Sequence, residues 1–88
     1  MPPLRTTTSQ SDLPAKTLCY SMAEIGQVLR ARRKELGMTQ TQAAAYCSCS
    51  QRLISEMERG RGSVGIEKVM RYANGLGIDF VMSARGRQ

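Results

Sequence analysis

The chain has no histidine and no tryptophan, and aromatic residues make up only 5% of it. Without histidine it lacks the commonest general acid–base side chain and the commonest metal ligand. So few aromatics argue against a stacking platform for single-stranded bases. No apolar run approaches the roughly 18 residues of a membrane span. The opening stretch MPPLRTTTSQSDLPAK lacks the apolar core of a signal peptide. Cysteines number three, Cys19, Cys47 and Cys49, which suits a reducing, cytoplasmic setting better than a disulfide framework. Cys47-x-Cys49 invites a zinc reading, yet zinc needs four ligands and only one further cysteine exists. A small buried hydrophobe is the default role for a free cysteine such as Cys47. With no nucleophile–base pair and no ligand cluster, neither an enzyme nor a metal or cofactor site is expected.

What remains is small and basic. The chain has 88 residues, 41% of them hydrophobic, and a net charge of +6. One domain is the expectation, and a chain of this length buries only about 60–65% of its unfolded surface. Oligomerisation is then a natural way to gain buried area. The positive balance favours a polyanion, nucleic acid or an anionic membrane face, over mere solvation.

Residues 1–17 read as a flexible tail, since three prolines and a Thr-Thr-Thr-Ser run cannot support a core. Helical periodicity begins at Ser21, where S-x-x-E with Glu24 forms a capping-box pattern. Met22, Ile25, Val28, Leu29, Arg32 and Leu36 follow in three- and four-residue steps to Gly37, giving a first helix over about 21–36. Thr39 and Gln42 form a second box, and Ala43-Ala44-Ala45 carry a second helix to Tyr46 or Cys47. A turn, Ser48-Cys49-Ser50, precedes a third helix from Ser50 to about Arg59 with Ile54 and Met57 inward. Residues 60–65 read as a loop. A fourth helix, about 66–75, places Ile66, Val69, Met70 and Ala73 on one face. Ile78, Phe80 and Met82 then alternate with Asp79, Val81 and Ser83, the period-two signal of a strand. A lone strand leaves its backbone groups without a ladder, so it needs a partner.

Two short helices joined by a tight turn, in a basic helical domain, point to a helix-turn-helix. Small side chains suit the point where those helices cross, and Ala44 is the expected contact. The segment TQTQAAAYCSCSQRLISEMERG resembles the helix-turn-helix of the Xre/lambdoid-repressor family, whose pattern is T-Q-x-x-x-A, turn, S-x-x-x-I-S-x-x-E-x-G. The resemblance runs over roughly residues 22–76. It implies an all-α, lambda-repressor-like bundle of four helices that binds palindromic operator DNA as a homodimer, with the third helix in the major groove. One position departs: Ser48 stands where the family usually has glycine, at a turn residue that often needs positive φ.

Position by position, the resemblance implies roles for particular residues. Gln51 and Arg52 open the recognition helix and reach base edges, with Ser55 and Glu56 one turn on. Arginine suits guanine and glutamine suits adenine. Gln40 matches a glutamine that bonds a phosphate. Thr39, Ser50, Arg59 and Arg61 are the other expected phosphate contacts. Arg33 and Glu58 match a structural ion pair. Leu53 points outward by spacing, toward a thymine methyl or toward solvent.

The C-terminal stretch Gly-Leu-Gly-Ile-Asp-Phe-Val-Met-Ser-Ala resembles that of HipB-type antitoxins. The resemblance implies a C-terminal β-strand, with Ile78, Phe80, Val81 and Met82, pairing with its two-fold mate. The organisation expected is a tail at 1–17, a DNA-binding domain at 18–77, and a dimerisation strand with a basic tail at 78–88. The implied function is an autoregulating repressor, antitoxin to a HipA-like kinase toxin, in a bacterial cytoplasm. Two alternatives stay open: a phage, plasmid or restriction-control regulator with no toxin, and a degenerate module that binds only protein.

Overall fold

Three of the four helices begin at the side chain whose spacing marks it as a cap. The protein is described here from a computed structural model, which covers residues 16–86. Most of the expected N-terminal tail, residues 1–15, and the last two positions of the basic C-terminus lie outside the described residues. Helix α1 spans Met22–Glu35, α2 Gln40–Cys47, α3 Gln51–Glu58 and α4 Ile66–Gly75. Ser21 Oγ accepts from the Glu24 N–H at 3.2 Å, while the Glu24 carboxylate reaches back to the N–H of Tyr20, one residue further than a standard box. At α2 the box is complete. Thr39 Oγ1 accepts from the Gln42 N–H at 3.1 Å and Gln42 Oε1 accepts from the Thr39 N–H at 2.9 Å. Ser50 Oγ accepts from the Leu53 N–H at 3.0 Å and opens α3. Helix α4 starts at Gly65 with no side-chain cap.

Leu29, Ala43, Ala44, Ile54, Met57, Val69, Tyr72, Ala73 and Leu76 form one buried core. Helix α3 packs on both α1 and α2, and α4 packs on α2. The alanine run works as a close-packing face: Ala43 and Ala44 are buried and Ala45 is exposed. Gly26 serves the same purpose on α1, where a Cβ would lie 2.5 Å from the Met57 carbonyl oxygen and 2.8 Å from that of Glu58. At the turn, Ser48 adopts φ 57 and ψ 48, the left-handed conformation its position demanded. The Cys49 N–H donates back to the Ala44 carbonyl at 3.0 Å and closes the end of α2.

Three apolar expectations change. Leu53 does not point free of the domain but is partly buried against the core. Leu36 caps α1 and is exposed. Ile66 and Met70 are exposed as well, because the covered arc of α4 is centred on Val69, Tyr72 and Ala73. At 100° per residue the apolar arc of α4 is wider than the surface available to cover it. Beyond α4, the Gly77 and Ile78 N–H groups donate to Asn74 and Ala73 carbonyls. Ile78 packs on the core, and residues 78–84 then run without regular secondary structure. No strand occurs among the described residues. A ladder needs a second strand, and the described residues offer none.

Candidate nucleic-acid interface

The recognition surface is built outward from the core. Ile54 and Met57 are fully buried, so the helical period turns Arg52, Ser55, Glu56 and Arg59 to the opposite side of α3. Gln51 and Arg52 are exposed at its first turn, with Ser55 and Glu56 half-exposed one turn on. Arg52 Nε lies 3.4 Å from Glu56 Oε2, and the arginine side chain is 87% exposed. Such a pair contributes little stability. It presents a cation and an acceptor side by side on the outer face.

One flank of this helix is held by a continuous polar chain. Arg33, buried on α1, donates from Nε to Glu58 Oε2 at 2.6 Å and from Nη2 to Glu58 Oε1 at 3.0 Å. Its Nη1 donates to the Met38 carbonyl at 2.8 Å. Hydrogen bonding to Glu58 raises the Arg33 pKa further, so the fork stays charged. Gln40 Nε2 then donates to Glu58 Oε1 at 3.1 Å, and Gln51 Nε2 donates to Gln40 Oε1 at 2.8 Å. The chain therefore runs from the inside of α1 to the first residue of α3. It fixes the side chain at the expected base-reading position without consuming the Gln51 oxygen.

The remaining expected contacts fall into two groups. The hydroxyl oxygens of Thr39 and Ser50 already accept backbone N–H groups as caps, which leaves their own O–H free to donate. Arg59 and Arg61 are exposed where the chain leaves α3. The structure thus brings Gln40, Gln51, Glu58 and Arg33 into one network, and leaves Ser55, Arg59 and Arg61 outside it.

Cys47 and Cys49 are half-buried and pack against the core. Burial pushes both thiols up, toward the neutral, unreactive form.

Several residues matter that the sequence reading passed over. Arg32 donates from Nε to the Leu76 carbonyl at 2.8 Å and so caps α4. In sequence it is only one step of the first helix's pattern, with no signal for that role. Lys68 and Arg71 stand beside the turn between α2 and α3, lining a recess with Ser48 and Ser50. Their i, i+3 spacing on α4 was the available signal.

A family model for helix-turn-helix proteins matches residues 29–82. No curated protein matches the sequence. Among solved structures, a chain of a HipA–HipB–O2–O3 complex superposes with a TM-score of 0.71 at 17% identity, covering 80% of this chain and 99% of that one. A HipB variant in complex with an O2 20-mer gives 0.72 at 17%, covering 81% and 99%. A structure described as MDT protein gives 0.71 at 17%, covering 80% and 99%. At this identity the likeness is one of fold.

Proposed function

The chain belongs to the Xre-type helix-turn-helix family, a family of DNA-binding regulators rather than of enzymes, and from that premise we infer that it is a sequence-specific, operator-binding repressor acting as a homodimer. The observation that carries this reading is the state of α3. Its inner face is sealed by Ile54 and Met57, and Gln51 is anchored through Gln40 to the buried Glu58. An exposed helix with a pre-ordered first turn loses little entropy when it enters a major groove. Gln51, Arg52, Ser55 and Glu56 read base edges. Thr39, Gln40, Ser50, Arg59 and Arg61 meet phosphates.

The dimer reading is supported by apolar side chains that the single chain leaves uncovered. Val81 is 73% and Met82 96% exposed, and Ile66, Met70 and Phe80 are exposed beside them in sequence or on α4. Pairing residues 78–83 with a two-fold mate supplies the missing ladder and covers this surface. It also sets two recognition helices about 34 Å apart, as a palindrome requires. Fold likeness to HipB, seen in a complex with HipA, O2 and O3, supports the finer reading of an antitoxin whose partner is a HipA-like kinase and which represses its own operon.

Fluorescence anisotropy tests this with the DNA upstream of the gene against a scrambled duplex, at two salt concentrations, with and without the neighbouring gene product. Tight, salt-dependent and selective binding that changes with the neighbour is expected. Arg52→Ala should cost about 1–3 kcal/mol and relax sequence preference, whereas Arg61→Ala should weaken all sequences alike and lower the salt slope by about one. Uniform loss in both variants would refute the division between base and phosphate contacts. A stable monomer by light scattering at micromolar concentration would refute the dimer.

A further inference from the structure

Helix α4 has two unlike flanks. Ile66 and Met70 lie on one, the apolar flank assigned above to a second copy. Counting 100° per residue from Val69, Lys68 and Arg71 fall on the other. There they line a recess of about 220 Å³ together with Cys47, Ser48, Cys49, Ser50, Leu53 and Tyr72. We propose that Lys68 and Arg71, with the Ser48–Ser50 turn, hold a backbone phosphate of bound DNA on the side of α3 opposite Gln40. The inference rests on the DNA-reading function above and adds a contact to it.

Four observations converge on this recess. Arg33, Arg32 and Arg52 are each spoken for by a carboxylate, but neither Lys68 nor Arg71 has an acidic partner among the described residues. Both are exposed, so their charge is available to an anion. Second, the recess sits at the start of α3, where Ser50 is the N-cap and the free N–H groups of the first turn give a positive end. Third, Tyr72, which lines the recess, has a buried hydroxyl with no hydrogen-bond partner, an unsatisfied polar group in the wall of the recess. Fourth, Leu53 faces the recess while Gln51 faces Gln40. The two sites therefore lie on opposite flanks of the recognition helix. A helix in the major groove runs between two sugar–phosphate walls, so one anchor on each flank fixes its depth and tilt.

Salt dependence provides the test. Wild type, Lys68→Ala, Arg71→Ala, the double alanine variant and Lys68→Arg are compared by anisotropy on a duplex selected by the wild-type protein and on random-sequence duplex, from 50 to 300 mM salt. Each alanine should weaken binding about five-fold near 0.15 M on both duplexes and lower the salt slope by about one, the loss expected for one phosphate contact. Lys68→Arg should stay close to wild type. The double glutamine variant repeats the measurement without the helix preference of alanine. An unchanged slope in both double variants, beside a steep wild-type slope, overturns the phosphate recess and leaves the DNA reading intact. So does a loss confined to the selected duplex, which would mean base readout. A wild-type protein with no salt-dependent binding overturns both.

Discussion

Gln40 Nε2 donates at 3.1 Å to the same Glu58 oxygen that accepts from Arg33 Nη2 at 3.0 Å. A single buried carboxylate therefore couples the inside of α1 to the exposed start of α3. Side-chain exposures of 8% for Arg33 and 4% for Glu58 decide how much the pair matters. An exposed pair contributes under about 1 kcal/mol, but removing one member of a buried pair strands a charge at a cost of about 3–5 kcal/mol. Arg33→Ala and Glu58→Ala should each lose stability in the upper range in urea unfolding. A loss below about 1 kcal/mol in either would mean that water reaches the pair.

Removing the middle of the chain should separate binding from folding. Gln40 is half-exposed, and its loss leaves the Arg33–Glu58 fork in place. Gln40→Ala should cost about 1 kcal/mol of stability for its hydrogen bonds. Its larger effect should be on DNA affinity and on preference at the base proposed for Gln51. Equal affinity and unchanged preference in a binding titration would show that Gln51 needs no anchor.

Gly26 tests how tightly α3 is seated. Alanine is favoured over glycine in a helix by about 1 kcal/mol. At this site the new methyl meets two backbone carbonyls, at 2.5 and 2.8 Å, and backbone cannot step aside as a side-chain tip can. Overpacking of this kind costs about 1–3 kcal/mol, so Gly26→Ala should be destabilising on balance. A rise in melting temperature would refute the close approach.

Much of this architecture was legible because the signals are local. Ser21, Thr39 and Ser50 are caps whose partners lie three residues on, and the helix limits they announce agree with the structure. The positive φ of Ser48 was expected only through the family resemblance, in which glycine usually holds that position. Long-range facts were less accessible. The Arg32 bond to the Leu76 carbonyl joins residues 44 apart, and no spacing rule reaches across such a gap. Leu53 was misjudged because helical period gives an angle, not the breadth of the neighbouring surface. The strand reading depends on a second chain, so one chain cannot display its ladder.

Ser48 carries a cost that a substitution can remove. A non-glycine residue in the left-handed region is disfavoured by about 1–2 kcal/mol, and Ser48 holds φ 57. Glycine would relieve that strain but lose about 0.4–1 kcal/mol through the freer unfolded chain. Ser48→Gly should therefore stabilise by up to about 1.5 kcal/mol, whereas Ser48→Val should destabilise. Denaturant midpoints check both. A loss of stability in the glycine variant would mean that the serine side chain makes a compensating bond.

Tyr72 gives the protein a signature at alkaline pH. It is 2% exposed and its hydroxyl has no partner, and desolvation raises its pKa well above the ordinary tyrosine value, with the nearby Glu58 adding to the shift. The folded state holds the proton more tightly than the unfolded state, which releases it near pH 10. Stability from this group is thus complete below about pH 10 and declines by about 1.4 kcal/mol for each further pH unit. The raised Cys47 and Cys49 thiols act in the same direction, so the comparison with Tyr72→Phe isolates the tyrosine. That variant should match or exceed wild type by about 1 kcal/mol at pH 7, since it removes an unsatisfied donor. It should also lose less stability between pH 10 and 11. A Tyr72→Phe variant that is markedly weaker at neutral pH would show that the hydroxyl is satisfied in solution, with a buried water as its partner.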